Sequence, residues 1–249
     1  EMLRSLVGSE MCIRDSVNNI SVLQREQSTI QSFSFDELSE VDYPKESKRH
    51  LRKFLDTTKA QLFFANGVLL VEGVAEAIII PILAKKFLTE KIDLCKSGIE
   101  LVNIGGVAFN HFGLLFNNDD ERKRLLSKCA IITDSDPKDD GDISDRAQKA
   151  KDLEKHNLKV CLAPHTLEHD LFEQSERNKT IMREVYRNMH TQTDDLRGDF
   201  NVSTLMGKLK SNKDKAEFAL QLYDRLEKEE AFDVPDYIKD AILFVVPTE

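Results

Sequence analysis

Acidic side chains follow three of the four strands that the sequence predicts in its central part. Glu72 ends the first of these strands, Asp134 and Asp136 follow the third, and Glu168 and Asp170 come just after the fourth. Because the strands alternate with helical stretches, they are expected to form a parallel sheet, and their carboxyl ends then meet at one edge. Carboxylates brought together at one edge repel each other, so a cation is needed to neutralise them.

The chemistry expected of this acidic set is metal binding. Carboxylate oxygens, without cysteine or clustered histidine, are the ligands that Mg²⁺ and Mn²⁺ prefer. Two such ions about 4 Å apart are the usual arrangement for in-line displacement at a phosphodiester. Any one of these acidic residues alone is explained as well by a helix cap or a turn. Their coincidence at one edge favours a metal site.

Two further features accompany the acidic set. Glu76 lies one helical turn after Glu72 and can face the same way, although a glutamate in a first turn also suits the helix dipole. Gly105 and Gly106 follow the second strand. A Gly-Gly pair allows a tight turn and leaves room for a backbone or a phosphate to approach.

The histidines and lysines near this set have plainer explanations. His165 and His169 flank the last acidic pair, and a surface role is favoured over metal ligation. Lys215 opens an amphipathic helix and by sequence alone is an exposed lysine. The lysines just before it form either a solvated face or a phosphate-contact patch, and the solvated face is favoured.

The elements that position these residues follow from the hydrophobic pattern. The predicted strands cover 68–72, 99–104, 128–133 and 159–163. The helices between and after them cover 75–88, 109–116, 143–156, 180–190 and 213–229. A short strand over 19–23, a polar connection and a helix over 47–63 come first, and 138–142 is a charged loop. The expected fold class is α/β, with a Rossmann-like parallel sheet of about four strands and a helical C-terminal extension.

Composition limits the function further. A hydrophobic fraction of 41% and a charged fraction of 32% are typical of a soluble globular protein. A net charge of −9 argues against coating nucleic acid by bulk positive charge, but not against an enzyme whose acidic residues hold cations. No apolar run is long enough for a membrane span. The four cysteines form no CxxC pair, so a reducing cytoplasm is expected, without a zinc site or disulfides.

The order of motifs resembles a known domain. The glutamate of EGVAE, a Gly-Gly pair after the next strand and the motif DSD after the third resemble the Toprim domain of topoisomerases, bacterial primases, recombination proteins and certain nucleases. Over about 18–234 the chain is most similar to the C-terminal part of OLD-family (overcoming lysogenization defect) ATP-dependent endonucleases. The more specific marks are LFFANGVLLVEGVAE, LVNIGG, TLEHDL and KAEFALQL.

The resemblance implies a two-ion site for Mg²⁺ or Mn²⁺ with six carboxylates around it. One ion would be held by Glu72, Asp134 and Glu76, and the other by Glu168 and Asp170, with Asp136 near or between them. The resemblance also implies that Glu72 helps to orient or deprotonate the attacking water. Lys215 would stabilise charge on the scissile phosphate, although the alignment there is short.

The resemblance also implies a parent protein with an N-terminal ABC-type ATPase. No GxxxxGK[ST] loop occurs in the chain, so ATP would act only through that other domain. Residues 17–23 look like its last strand, and the chain is therefore expected to be a C-terminal fragment. The expected parts are 1–16, a non-native leader resembling a translated sequencing adapter, 17–64, the ATPase end and a linker helix, 65–175, the Toprim domain, and 176–249, a helical extension.

The function expected from this resemblance is hydrolysis of DNA phosphodiester bonds, with duplex DNA as partner and a homo-oligomeric parent protein. Phage defence and DNA repair are roles that the resemblance makes plausible. A Toprim ribonuclease, a primase-like enzyme and a non-catalytic Toprim scaffold remain alternatives. A primase would need template-binding modules that the sequence does not show, and a scaffold would not need the full acidic set.

Overall fold

The computed structural model describes residues 18, 20–26, 29–55, 59–106, 109–136, 142–189 and 200–247. Six strands lie in this part of the chain: β1 (Ser21–Glu26), β2 (Thr29–Ser34), β3 (Gly67–Val71), β4 (Ile99–Asn103), β5 (Lys128–Asp134) and β6 (Leu158–Ala163). The first two form an antiparallel hairpin. The other four form a parallel sheet in the order β4-β3-β5-β6. The fold is therefore α/β, as the sequence predicts.

Nine α-helices surround the sheet within the described residues. They are α1 (Lys45–Phe54), α2 (Val74–Ile82), α3 (Phe109–Gly113), α4 (Asp145–Lys151), α5 (Leu167–Glu173), α6 (Glu176–Met189), α7 (Val202–Lys208), α8 (Asn212–Leu226) and α9 (Asp236–Val245). A 3₁₀ segment, Lys59–Phe64, precedes β3, and a π-helical turn, Leu83–Phe87, follows α2.

Both faces of the sheet are covered, which explains the continuous apolar runs of its strands. Along β3, Leu69 and Val71 belong to one hydrophobic core, and Val68 and Leu70 belong to the other. The first core is completed by α2, α6, α8 and α9, and the second by the hairpin, α1 and α3. The alternation of strand side chains between two faces thus holds the helices on both sides.

Helix α9 runs antiparallel to the strands of the sheet. Its end lies against the start of β3, since a Cβ added to Gly67 would be 2.2 Å from the carbonyl oxygen of Val245. Asp240 in its middle pairs with Lys159 of β6 at 3.4 Å. The first turn of α9 is therefore at the carboxyl edge of the sheet.

The four sheet strands are confirmed to within a residue or two, but several other elements differ from the prediction. The predicted polar connection contains β2, and α5, α7 and α9 were not predicted. Strand β2 is mostly exposed and polar, so it lacks the apolar signal of a buried strand. The predicted helix over 143–156 is shorter, because the Ser144 side chain caps its start and the chain turns back at 152–157 towards β6.

Pro81 lies inside α2 as predicted, and the helix changes its hydrogen bonding just beyond it. The Leu83 amide donates to the carbonyls of both Ile79 and Ile80, and the Leu88 amide reaches the carbonyl of Leu83 at 3.2 Å. The altered ladder is a π-helical turn, which is where a missing proline donor is commonly accommodated.

The remaining sequence predictions concern membrane spans, the cysteines and the division of the chain into parts. No helix in the described ranges is long and apolar enough to cross a membrane. Cys129 and Cys161 are buried free thiols, and Cys95 is an exposed one. The predicted leader, over 1–16, and most of the predicted charged loop over 138–142 lie outside the described residues. The division of the chain into four parts stays a prediction.

Candidate metal centre

The carboxylate of Glu72 lies between the ends of two neighbouring strands. Glu72 follows β3, and the pairing of β3 with β5 places Val71 opposite Ile132, so Glu72 comes level with Thr133. Its Oε1 accepts hydrogen bonds from the Thr133 hydroxyl and, at 3.4 Å, from the Asp134 amide. The parallel register thus brings the first predicted acidic residue against the start of the DSD motif.

Arg146 of α4 connects two of the predicted acidic residues. Its Nη2 donates to Oε1 of Glu72, and its Nη1 lies 3.5 Å from Oδ2 of Asp136. Asp136 itself has a positive φ of 43°, and its side chain is half exposed. A guanidinium therefore provides positive charge between carboxylates for which the sequence predicts a metal ion.

Glu168 and Lys215 form an ion pair within the acidic cluster. Glu168 is almost fully buried at the start of α5, and its Oε2 is 3.2 Å from Nζ of Lys215 in the first turn of α8. The pair is close, but its geometry does not make a hydrogen bond, and Glu168 Oε2 accepts none from the described part of the chain. Lys215 is therefore a member of the acidic cluster and not the freely exposed lysine that the sequence alone suggests.

Asp170 is held between two imidazoles. Its Oδ2 accepts a hydrogen bond from the His165 amide at 3.2 Å. Its Oδ1 lies 3.2 Å from Nδ1 of His165 and 3.3 Å from Nδ1 of His169. The two rings stack with centroids 3.9 Å apart. Both imidazoles therefore contact Asp170 directly, and His165 is half exposed as well.

Tyr237 lies in the first turn of α9. Its hydroxyl is buried and has no hydrogen-bond partner in the described residues. Burial raises the pKa of Tyr237 well above its usual value, and the negative charges of Asp170, Asp134 and Glu76 raise it further. The phenol therefore lies within electrostatic reach of the acidic cluster.

Gly105 and Gly106 follow β4, which lies beside β3 in the sheet. Both have positive φ, 66° and 125°, which favours glycine. Apart from the chain neighbours, no heavy atom of the described residues lies within 4 Å of the position of a Cβ at either residue. That a phosphate or a backbone approaches here stays a prediction.

Residues 63–136 match the family model described as overcoming lysogenization defect protein-like, TOPRIM domain. This segment contains β3 to β5 with the Glu72 and Gly-Gly motifs and the DSD motif. The chain contains an OLD-like Toprim domain.

Solved structures with the same fold extend the likeness beyond this Toprim domain. The C-terminal region of the OLD protein of Xanthomonas campestris pv. campestris has a TM-score of 0.53 at 23% identity, over 74% of this chain and 94% of that one. The C-terminal region of the OLD protein of Burkholderia pseudomallei has a TM-score of 0.53 at 20% identity, over 73% and 97%. No curated protein matches the chain. At these identities the structural likeness is one of fold.

Electrostatics around the Toprim strands shows an excess of negative charge. Burial raises the pKa of Asp134 to about 7, with Glu72, Glu76 and Asp136 raising it further and Lys215 lowering it. Burial likewise raises the pKa of Glu76, which the charges of Glu168 and Glu72 also raise. The three acidic segments thus sense each other's charge, and the nearby cations do not fully offset it.

The donor set at this edge fits divalent cations. It consists of carboxylate oxygens with two imidazoles, one buried carboxylate oxygen accepts no hydrogen bond, and two acids are destabilised as anions. The structure brings all six predicted acidic residues and Lys215 to one edge of the Toprim sheet. Which of them bind a metal ion stays a prediction.

Sequence reasoning missed Arg146 and Tyr237 and favoured a surface role over metal ligation for the two histidines. Arg146 lies in a helix that the sequence predicts, but nothing in the local pattern indicates that its side chain reaches Glu72. Tyr237 is preceded by Pro235, which gives a helix-start signal, but nothing local indicates the site. For the histidines, the spacing of four residues in HTLEHD was the available signal.

Proposed function

We propose that the chain hydrolyses DNA phosphodiester bonds as the nuclease part of an OLD-like enzyme. The observation that carries this proposal is the convergence of acidic residues from three separate segments at the carboxyl edge of a Toprim sheet. Chains of this fold place their chemistry at that edge. The excess negative charge there is explained by a requirement for divalent cations, Mg²⁺ or Mn²⁺.

The residues proposed to hold the two ions fall into two groups. Glu72, Glu76 and Asp134 surround the end of β3, and Glu168 and Asp170 come from the start of α5, with Asp136 at the exposed rim. When bound, two divalent ions polarise a phosphodiester and lower the pKa of bound water. Metal binding requires the carboxylates to be anionic. Because Arg146 now pairs with Glu72 and Asp136, these two carboxylates would release the guanidinium when they bind a metal ion.

Basic groups of the chain would then serve the substrate. Arg146 reaches the rim beside Asp136, and Lys215 reaches the cluster from α8. Once metal neutralises the carboxylates, the side chain of Arg146 or Lys215 would be free to contact a phosphate oxygen. Its positive charge would stabilise the negative charge that builds up on that oxygen during the reaction. Glu72 is the proposed group that orients the attacking water.

The partners of this activity are proposed from the family resemblance. Duplex DNA is the substrate, and an N-terminal ABC-type ATPase of a homo-oligomeric parent protein would supply nucleotide dependence. With a net charge of −9, the chain by itself provides little non-specific attraction for DNA. A ribonuclease remains the second candidate, and cleavage of single-stranded RNA compared with duplex DNA separates the two.

The test is nicking of supercoiled plasmid in Mn²⁺ or Mg²⁺, with EDTA as the metal-free arm. Glu72→Gln and Asp134→Asn keep the side-chain shape and remove the charge. Each is expected to lower nicking by about 100-fold or more, because loss of the groups that merely support metal ligands already costs about 10- to 100-fold.

Asp240→Asn is the matched control. Asp240 is an exposed aspartate of α9 that pairs with Lys159, away from the carboxyl edge. This variant should nick as the unmodified chain does. Metal-dependent nicking that survives both Glu72→Gln and Asp134→Asn would contradict the proposed site.

A further inference from the structure

The side chains of His165, His169 and Asp170 form a compact group of metal-ligating atoms. Among the described residues, one ligand atom from each of the three lies within 4.8 Å of the others. Both Nδ1 atoms face the same carboxylate oxygen, Oδ1 of Asp170, at 3.2 and 3.3 Å. The three residues come from two adjoining parts of the backbone. His165 precedes α5, and His169 and Asp170 lie in its first turn.

The local structure holds this group in place. Thr166 caps α5, and its hydroxyl accepts a hydrogen bond from the His169 amide. Oδ2 of Asp170 accepts a hydrogen bond from the His165 amide, so the carboxylate is fixed with Oδ1 directed at the imidazoles. Asp170 is nearly buried, whereas His165 is half exposed. The group is therefore rigid at the carboxylate and open to solvent at one imidazole.

The separations suit a single ion. The Nδ1 and Oδ1 atoms lie 3.2–3.3 Å apart. For an ion about 2.1 Å from both atoms, the nitrogen–metal–oxygen angle would be about 100°, between the tetrahedral and the octahedral values. Hydrogen bonds from the rings to Asp170 account for these contacts in the structure. Metal binding would use the same Nδ1 and Oδ1 atoms, with each imidazole in the neutral form that carries its proton on Nε2.

We propose that His165, His169 and Asp170 bind one divalent cation of borderline softness, of the Mn²⁺, Co²⁺ and Zn²⁺ class, in preference to Mg²⁺. Imidazole nitrogen suits these transition metals, whereas Mg²⁺ prefers a shell of oxygen ligands and water. The site would give the second position of the proposed two-ion centre a mixed nitrogen and oxygen shell. Its catalytic meaning rests on the proposed function, but the binding itself does not.

Binding is tested with Co²⁺ as an optical probe on the purified chain. The unmodified chain should develop visible Co²⁺ absorption on titration, and Mn²⁺ should compete for the same site. His165→Ala and His169→Ala should each change the spectrum and weaken Mn²⁺ binding by about tenfold or more, while Mg²⁺ binding changes less. His165 is the safer position, because its half-exposed ring contributes little to the core.

His156→Ala is the matched control. It removes an imidazole that pairs with Asp119 at 2.7 Å near the opposite end of β6, and it should leave the Co²⁺ spectrum unchanged. Circular dichroism in EDTA checks that each variant is folded. Unchanged Co²⁺ absorption and Mn²⁺ affinity in folded His165→Ala and His169→Ala would overturn the proposal.

Plasmid nicking on the same samples separates this proposal from the proposed function. If the imidazole variants lose Co²⁺ binding but no preparation nicks DNA, the site stands and the nuclease function falls. If the unmodified chain nicks DNA but its Co²⁺ spectrum does not depend on either histidine, the nuclease function stands and the site falls.

Discussion

At the scale of single residues, Asp134 is expected to lower the stability of the fold while it serves the proposed metal binding. Asp134 is the last residue of β5, one of the two central strands of the sheet. Burial and three neighbouring carboxylates raise its pKa to about 7. In the unfolded chain its pKa is near 3.8. The folded protein therefore carries an acid that resists ionisation at neutral pH unless a cation binds beside it.

This shift predicts how the stability of the metal-free chain depends on pH. Below pH 3.8 Asp134 is protonated in both states, and between 3.8 and about 7 the folded state keeps a proton that the unfolded state has lost. The contribution of Asp134 to the free energy of unfolding should thus fall as pH rises through this window. Urea unfolding in EDTA at pH 5 and pH 8 measures it.

Asp134→Asn should remove this part of the pH dependence and should be more stable than the unmodified chain at pH 8 in EDTA. The same substitution is expected to lower nicking by about 100-fold or more, so stability and activity would change in opposite directions. Glu76 also titrates abnormally, so a smaller slope should remain. An Asp134→Asn variant that is no more stable at pH 8 would contradict the assigned cause of the shift.

The contact between α9 and β3 is the main feature at the scale of elements. The helix covers one face of β3, β5 and β6 and carries Tyr237 to the acidic cluster. At its other end the chain comes so close to Gly67 that a side chain has no room. The position of the helix along the sheet, and with it the position of the phenol, depends on this glycine.

Gly67→Ala should therefore destabilise the fold by about 1–3 kcal/mol, the usual cost of overpacking. The added Cβ would lie 2.2 Å from the Val245 carbonyl oxygen, and the end of α9 would have to move. Urea unfolding monitored by circular dichroism gives the change in free energy.

Gly207→Ala is the control for this prediction. Gly207 lies in α7, and outside its own helix backbone and chain neighbours no heavy atom of the described residues is within 4 Å of the position of its Cβ. Alanine there should stabilise the helix by about 0.5–1 kcal/mol. If both substitutions changed stability by the same amount, the close approach of α9 would not be the cause.

At the scale of the whole molecule, the acidic residues at the carboxyl edge of the sheet contribute to the net charge of −9. The cations that the chain itself provides there, Arg146 and Lys215, offset only part of the local negative charge. A bound divalent ion adds the missing charge to the folded state alone, because the unfolded chain does not bring the ligands together. Metal binding should therefore stabilise the fold by linkage.

A thermal shift with Mn²⁺ measures this linkage. Ion at about 100 times its dissociation constant stabilises by about 2.7 kcal/mol, which raises the melting temperature of a chain of this size by about 5–10 °C. A Glu72→Gln, Asp134→Asn double variant should show a smaller shift, and Asp240→Asn the full one. No shift in the unmodified chain would indicate a site that binds no metal.

The sequence by itself determined the sheet strands and the acidic residues that follow them. Strands buried on both faces, such as 67–71 and 128–134, must be continuous apolar runs, and an abrupt Glu72 or Asp134 marks their carboxyl ends. The family resemblance added Lys215 and the order of the motifs. These signals are local, so a reader of the sequence can find them without knowing the packing.

Only the tertiary structure decided which side chains meet the acidic residues. Arg146 reaches Glu72 across 74 positions of the chain, and Tyr237 arrives on a helix that packs over the sheet from far along the sequence. The histidines beside Asp170 are near in sequence, but their direction depends on the cap of α5. Such contacts depend on how helices pack over a sheet, and this packing cannot be inferred from the spacing of residues along the chain.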